Sequence, residues 1–399
     1  MSLTLSKKAQ AVKPSSTLAI TARAKELKLQ GIDVVGFGAG EPDFNTPDNI
    51  NDAAIKAIHD GFTKYTPASG TVELKEAVSK KFKAFNKLNY APEQIVISNG
   101  GKHSLTNIFE AILNHGDEVI IPAPYWLSYP EIVKLADGVP VIIHADKSQN
   151  YKVTAEQIAA ACTDKTKAFI LNSPSNPTGM VYTKEELESI AKVIVEKDIY
   201  VVSDEIYEYL VYGKNQHISI GSLNDEIFKR TITCSGLSKS YAMTGWRIGY
   251  TGSSKEIAKL MSSIQSHQTS NPNSIAQKAA TEALVGPQET VHIMNLEFDK
   301  RREYMAKRIN AMPYIDTIIP QGAFYLFVDT SKVLNKIYKG KAIETTSRLA
   351  EILIDDYNVA VVPCGDFGFD DHIRLSYAIS IEQIEKGLDR IENLLKSLL

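Results

Sequence analysis

Short apolar runs alternating with longer amphipathic ones are the feature that most constrains this chain, because that rhythm builds a parallel sheet wrapped by helices. The runs QIVIS, EVIIP, VPVIIH, KAFILN, YVVSD, RTITCS and RIGYTG are rich in β-branched or aromatic residues, and several end at a small polar residue or a glycine turn. Between them, KHSLTNIFEAILNHG, TKEELESIAKVIVEKDI and TPDNINDAAIKAIHDG carry apolar residues at i, i+3, i+4 and i+7. That spacing predicts helices, with Thr at the N-cap and Gly at the C-cap. Past about residue 290 the texture changes to a long charged helix, HIMNLEFDKRREYMAKRINAM, and then to GAFYLFVDT, NVAVVPC and HIRLSYAIS. The expected class is α/β: a large doubly wound domain around a mostly parallel, mixed sheet, with a smaller α+β domain drawn from both termini. The expected boundaries are 1–45 and 291–399 for the smaller unit and 46–290 for the larger.

Composition narrows the possible partners. With 44 basic and 47 acidic residues the net charge is −3, so there is no basic stripe for nucleic acid and no polybasic anchor for a membrane surface. No stretch approaches the roughly 18 apolar residues of a membrane span, and the three widely spaced cysteines form no CxxC pair, which points away from a disulfide framework or a zinc site. A cytoplasmic protein with a small-molecule partner and no metal is expected. Only nine of the basic residues are arginines, and the lysines fall mostly in polar stretches that read as solvated helix faces. Two arginines stand in apolar runs instead, Arg247 in TGWRIGY and Arg374 in HIRLSYAIS, where a charge is costly unless an anion meets it.

Ligands of open parallel sheets bind beyond the carboxyl ends of the strands, and four such places carry chemistry. In GLSKSYAMTGWRIG, Lys239 lies among small residues and Tyr241, Met243 and Trp246. A lysine in a loop is ordinarily just solvated, but a desolvated amine has a lowered pKa and attacks carbonyls to form a Schiff base. Arg247, with Ser235 and Ser238 nearby, offers a planar fork and hydroxyls suited to phosphate oxygens. An aldehyde that carries a phosphate is pyridoxal phosphate. In YVVSDEIYEYL, Asp204 reads equally well as a helix N-cap or as the partner of a protonated pyridine nitrogen, with Tyr207 three residues on able to reach the ring's phenolic oxygen. LNSPSNPTGMVYTKEEL places Asn176 at a strand end, with two candidate cis X-Pro bonds and a capping box from Thr183 to Glu186. In ISNGGKHS, Gly100 and Gly101 offer bare N–H groups ahead of a helix, either as a tight turn or as a phosphate cup. Tyr125 and Trp126 of IPAPYWLSYP are core aromatics by default, and one of them is placed to stack on a flat ring.

The whole set resembles a class I aspartate aminotransferase of the bacterial type, in the pyridoxal phosphate fold-type I group. KPSSTLAI, GAGEPDFNTP, KYTPASGTVELKEA, SNGGKHSL, PYWLSYPE, NSPSNPTG, VSDEIYE, SGLSKSYAMTGWRIGY, PQGAFYLF and IRLSYA follow in the family's order over nearly the whole chain. By that resemblance Lys239 carries pyridoxal 5'-phosphate as an internal aldimine and shuttles the Cα proton, Asp204 pairs the pyridine nitrogen, and Tyr207 and Asn176 hold the ring's O3′. Gly100, Gly101, Ser238 and Arg247 surround the phosphate, with Ser235 the weaker hydroxyl candidate. Trp126 stacks on the ring, Arg374 clamps the substrate α-carboxylate and Gly40 approaches the substrate through its backbone. Tyr65 reaches the phosphate of a neighbouring subunit, which makes the active unit a homodimer with shared sites. Two departures from the animal branch appear: Tyr129 replaces a histidine behind the aspartate, and no equivalent is seen of the arginine that binds a side-chain carboxylate. Lys102, Ser15 and Thr17 are the candidates for that role. The implied reaction is ping-pong transfer from L-aspartate to 2-oxoglutarate, giving oxaloacetate and L-glutamate. The alternatives are an aromatic or prephenate aminotransferase, or a non-catalytic sensor module, which would need a basic helix-turn-helix not expected before KPSST.

Overall fold

The computed structural model describes residues 3–14 and 16–398, apart from the Leu18 side chain. Seven strands form the central sheet: β1 (Ile95–Ser98), β2 (Glu118–Ala123), β3 (Val139–His144), β4 (Thr166–Asn172), β5 (Tyr200–Asp204), β6 (Thr231–Gly236) and β7 (Gly249–Gly252). Their order is β1-β7-β6-β5-β4-β2-β3, and only β7 runs antiparallel to its neighbours. Each expected strand is present. The apolar runs are nearly continuous because both faces are covered. Along β4 the pleat sends Ala168 and Ile170 to one face, against Leu105, Ile108 and Ile132, and Phe169 and Leu171 to the other, against Leu187, Ile190 and Ile194. Each of the larger side chains, Leu, Ile or Phe, contributes about 1.5–3 kcal/mol of transfer free energy.

The later part of the chain supplies a second, antiparallel sheet from β8 (Asp316–Thr317), β9 (Tyr325–Asp329), β10 (Val362–Pro363) and β11 (His372–Ser376), in the order β10-β11-β9-β8. The run NVAVVPC does not form one strand: Val359–Ala360 pairs with the N-terminal Val35–Gly36, and after Val361 alone the chain enters β10. The helix Ile381–Lys396 packs onto this N-terminal strand so closely that a Cβ at Gly387 would lie 2.4 Å from the Phe37 ring.

Helix ends correct several expectations. Thr46 is not an N-cap, since the helix Asp48–His59 begins after Pro47 and the Thr46 hydroxyl donates to the Ala242 carbonyl instead (2.7 Å). Glycine closes only the first of these helices: Gly61, at φ 70° after the C-cap Asp60, donates to the Ile58 carbonyl (3.0 Å) while the Phe62 N–H donates to Ala57 (2.9 Å), whereas the other two end at Leu113 and Lys197 without glycine. The capping box is as read, with Thr183 and Glu186 exchanging side-chain and backbone bonds ahead of Lys184–Glu196. Both X-Pro bonds, at Pro174 and Pro177, are cis, as is Ala123–Pro124. Among the described residues no helix is long and apolar enough to cross a membrane.

Candidate active site

A cleft of about 440 Å³ opens at the carboxyl ends of β4, β5 and β6 and is closed on its far side by β9 and β11. Its position follows from topology: parallel strands deliver their last residues to one edge, so Asn172, Asp204 and the loop after Gly236 converge there. Asp204, Tyr207, Lys239, Asn176, Trp126 and Arg374 all line it, together with Gly40, Gly101, Lys102, Ser238, Arg247 and Thr17.

The Lys239 ammonium donates to the Gly40 carbonyl. Burial pulls its pKa down to about 8, with Glu41 opposing the shift and Arg374 and Arg247 adding to it. A usable fraction of the amine is therefore neutral near physiological pH. Burial likewise pushes the Asp204 carboxyl up to about 6, against the Tyr129 hydroxyl that donates to Oδ2 at 2.6 Å and the Ile206 N–H that donates to Oδ1 at 3.2 Å. Asp204 does not cap a helix. It ends a strand and remains an anion at pH 7 aimed into the cleft.

Arg374 lies at the centre of β11, between Phe327 and Val362 in register, and is only 2% exposed. Its Nη1 donates to Asn176 Oδ1 (2.9 Å) and its Nη2 to the Gly38 carbonyl (3.2 Å), while its guanidinium carbon sits 4.3 Å from the Tyr325 ring centre. Nε is buried without a partner among the described residues, so the cation retains unused donor capacity. Asn176 itself is fixed by a bond from its N–H to Asn172 Oδ1 (2.9 Å), and the Tyr207 and Tyr325 hydroxyls share a 3.0 Å hydrogen bond.

Arg247 is not buried in an apolar run, because β7 begins only at Gly249; it is exposed at the cleft edge with φ 58°. Its guanidinium lies flat on Gly100, where a Cβ would come within 2.3 Å of Nη2. Gly100, at φ 87°, precedes the helix Gly101–Ile112 and gives its first N–H groups no side-chain cap. The Asn99 N–H just before the cup donates to His103 Nδ1 (3.2 Å). A cation seated where only glycine admits it, beside uncapped helix N–H groups, suits a phosphate. Together with a desolvated amine and an anionic carboxylate, they fit pyridoxal phosphate group by group.

Other expected residues divide. Trp126 meets Tyr129 edge to face (ring centres 5.4 Å apart), and the Lys102 ammonium stands 5.0 Å above the Trp126 ring at the cleft lip. Thr17 Oγ1 is buried and has no hydrogen-bond partner among the described residues, whereas Ser15 lies outside them. Ser238 lines the cleft; Ser235 turns away and donates to Glu208 Oε1 at 2.5 Å. Tyr65 is 91% exposed and does not reach the cleft of its own chain. The sequence reading gave no role to Tyr325, which touches both Tyr207 and Arg374, although its motif GAFYLF had been picked out. The contact from Tyr129 to Asp204 was visible only as a substitution relative to the animal branch.

The family model described as aminotransferase class I and II matches residues 32–391. The chain is 52% identical over 392 residues to an aspartate aminotransferase of Bacillus sp. (strain YM-2), covering 98% of this chain and 99% of that one. It is 46% identical over 390 residues to a probable aspartate/prephenate aminotransferase of Rickettsia conorii, covering 97% of each. The solved aspartate aminotransferase of Thermus thermophilus with maleate superimposes with a TM-score of 0.93 at 43% identity, over 99% of this chain and 100% of that one.

Proposed function

The chain belongs to the class I and II aminotransferases, and from that premise we propose that it moves the amino group of L-aspartate to 2-oxoglutarate with pyridoxal 5'-phosphate held on Lys239. The observation that carries the reading is the meeting of Lys239, Asp204 and Arg374 in one cleft, each with the charge state and free valence the reaction asks of it. When bound, pyridoxal phosphate supplies an aldehyde carbon for a primary amine and a protonated ring that delocalises the electron pair left when an amino acid loses its Cα proton.

The residues of the chain do the rest. Asp204, kept ionised by Tyr129 despite burial, pairs the ring nitrogen. Arg247, Ser238 and the N–H groups at Gly100 and Gly101 would hold the phosphate, Tyr207 and Asn176 would bind O3′, and Trp126 would stack on the ring. Lys239 Nζ, available as a neutral amine, would hold the aldehyde group, and the same atom, once freed by an incoming amino acid, would move the Cα proton. Arg374 clamps the α-carboxylate with its remaining donors, and Gly40 lies beside Lys239 through its carbonyl. Lys102 and Thr17, with Ser15 in the same stretch, receive the second carboxylate of a dicarboxylic substrate, a role supported by the Lys102 ammonium at the lip and the buried Thr17 hydroxyl.

The active unit is proposed to be a cytoplasmic homodimer in which Tyr65 serves the partner's phosphate; its 91% exposure and the exposed Ile55 and Ile58 support this. Domain boundaries at 45/46 and 290/291 are proposed on the grouping of the second sheet with the N-terminal strand. The test is to load the chain with pyridoxal phosphate and supply L-aspartate alone. One equivalent of oxaloacetate per site is expected, with continued turnover only after 2-oxoglutarate is added, and absence of oxaloacetate refutes the reading. A second reading, in which prephenate also accepts the amino group, is favoured by the Rickettsia relative's name and is checked by offering prephenate in place of 2-oxoglutarate.

A further inference from the structure

Behind the turn that presents Asp204 and Tyr207 lies a buried polar cluster that the proposed chemistry leaves unused. Glu205 and Glu208 are 1% and 2% exposed, yet both carboxylates are well partnered. Glu205 accepts from Ser219 Oγ (2.6 Å), Asn86 Nδ2 (2.8 Å) and Ser203 Oγ (2.9 Å), and meets His217 Nε2 at 2.9 Å. Glu208 accepts from Asn86 Nδ2 (2.6 Å), Ser235 Oγ (2.5 Å) and the Lys81 ammonium. Glu205, Glu208 and His217 present the donor types of a cation site, and the cation at this cluster is the Lys81 ammonium paired with Glu208. It also donates to Asn86 Oδ1 (2.8 Å) and lies 5.1–5.7 Å from the ring centres of Phe82, Phe85, Tyr209 and Tyr250.

The local fold explains how two residues five apart reach one spot. Around a regular α-helix, residues i and i+5 point roughly 140° apart, at 3.6 residues per turn. Here the helix Val72–Lys81 passes into a π-helical turn, Phe82–Asn86, closed by Lys87 at φ 61°. The i→i+5 hydrogen bonding of that turn brings Lys81 and Asn86 onto one face. Both then enter the cluster together.

We propose that the Lys81–Asn86 π turn and the carboxylates it meets are the positioning device of the active site, holding the Asp204–Glu208 turn against the loop that carries Lys239. Three connections make the argument. Glu205 follows Asp204 in the chain and its N–H donates to the Cys234 carbonyl on β6 (2.8 Å). Glu208 follows Tyr207, and Ser235, which donates to Glu208, stands four residues before Lys239. The ring-nitrogen partner, the O3′ partner and the amine therefore all hang from one cluster, and a shift of even about 1 Å in such groups costs on the order of 100-fold in rate.

The inference rests on the aminotransferase reading of the cleft, and the test separates the two. Holoenzymes of wild type, Lys81→Met and the double variant Lys81→Met with Glu208→Gln are compared for melting temperature, for the induced circular dichroism of bound pyridoxal phosphate, and for kcat and KM with L-aspartate. Lys81→Met strands a buried carboxylate and melts lower; the double variant removes that charge and regains most of the loss. We expect the double variant nonetheless to show a weakened cofactor dichroism and kcat down by about 10-fold or more, with KM changed less than about 2-fold. Recovery of stability, dichroism and kcat together overturns the proposal, because the cluster then serves folding alone. Where the double variant does not fold, Ser235→Ala decides: altered dichroism with reduced kcat at a near-wild-type melting temperature supports the proposal, and unchanged values overturn it. A wild-type chain that transfers no amino group refutes the underlying reading instead.

Discussion

Tyr129→Phe isolates one hydrogen bond on one buried charge. The ring is 2% exposed and stays in place, so the change removes only the hydroxyl that donates to Asp204 Oδ2 at 2.6 Å. A hydrogen bond to a charged group is worth about 1.5–3 kcal/mol, and each pKa unit is about 1.4 kcal/mol, so the Asp204 pKa rises by about 1–2 units. From about 6 in wild type it moves to about 7–8 in the variant. The sign follows from linkage: a carboxyl with a folded-state pKa above its unfolded value binds its proton more tightly when folded. The stability it provides is present at low pH and is lost as pH rises, between about 4 and 6 in wild type and up to about 8 in the variant. The stability gap between the two cofactor-free proteins, measured by urea unfolding, should therefore widen by roughly 1.5–3 kcal/mol between pH 5 and pH 8.5. A gap that is the same at both pH values refutes the reasoning. In the loaded enzyme the acidic limb of kcat/KM should move up in pH as well.

Three other experiments probe the site. Arg374→Lys loses the fork that holds Asn176 and Gly38 while leaving donors free, so KM should rise at least about 10-fold for every amino and oxo acid, acidic or not. Unchanged KM values would remove Arg374 from carboxylate binding. Lys102→Ala should lower kcat/KM for L-aspartate by about 1.5–3 kcal/mol, the range for hydrogen bonds to charged groups, and leave phenylalanine nearly untouched; a constant aspartate-to-phenylalanine ratio assigns Lys102 to the surface. Mixing Tyr65→Phe with Lys239→Ala subunits should regenerate activity through one intact site per hybrid dimer, and no gain after confirmed subunit exchange would place Tyr65 outside the partner's site.

Asp204, Asn176 and Lys239 were legible in the sequence because each lies at or just past the end of an apolar run, and parallel topology carries such ends to one edge. Arg374 was legible for the opposite reason, a lone cation inside a strand pattern. Lys81 was not. In VELKEAVSKKFKAFN it stands next to Lys80 and reads as solvated, yet it is 7% exposed, because it follows Leu74, Ala77 and Val78 at helical spacing on the buried face and its partner Glu208 comes from a distant segment. Arg301 and Arg302 mislead in the same way: both sit in the charged helix Glu289–Asn310 but are buried, held by Asp43, Glu297 and Asp299. Arg247 erred in the other direction, since the apolar residues around it do not become strand until Gly249. Pattern reading follows regular periods, and it loses residues where the period slips or where the partner comes from a distant segment.

The central claim is that one amine, Lys239, both holds the cofactor and moves the proton. It is tested most directly by reducing the loaded enzyme with borohydride, digesting it and locating the modified peptide. The cofactor should be found fixed to Lys239 alone, and Lys239→Ala should bind it without any reducible link while amino transfer falls by several orders of magnitude, on the order of 10³-fold or more. A label on another lysine, or Lys239→Ala enzyme that still transfers amino groups at the wild-type rate, would contradict it.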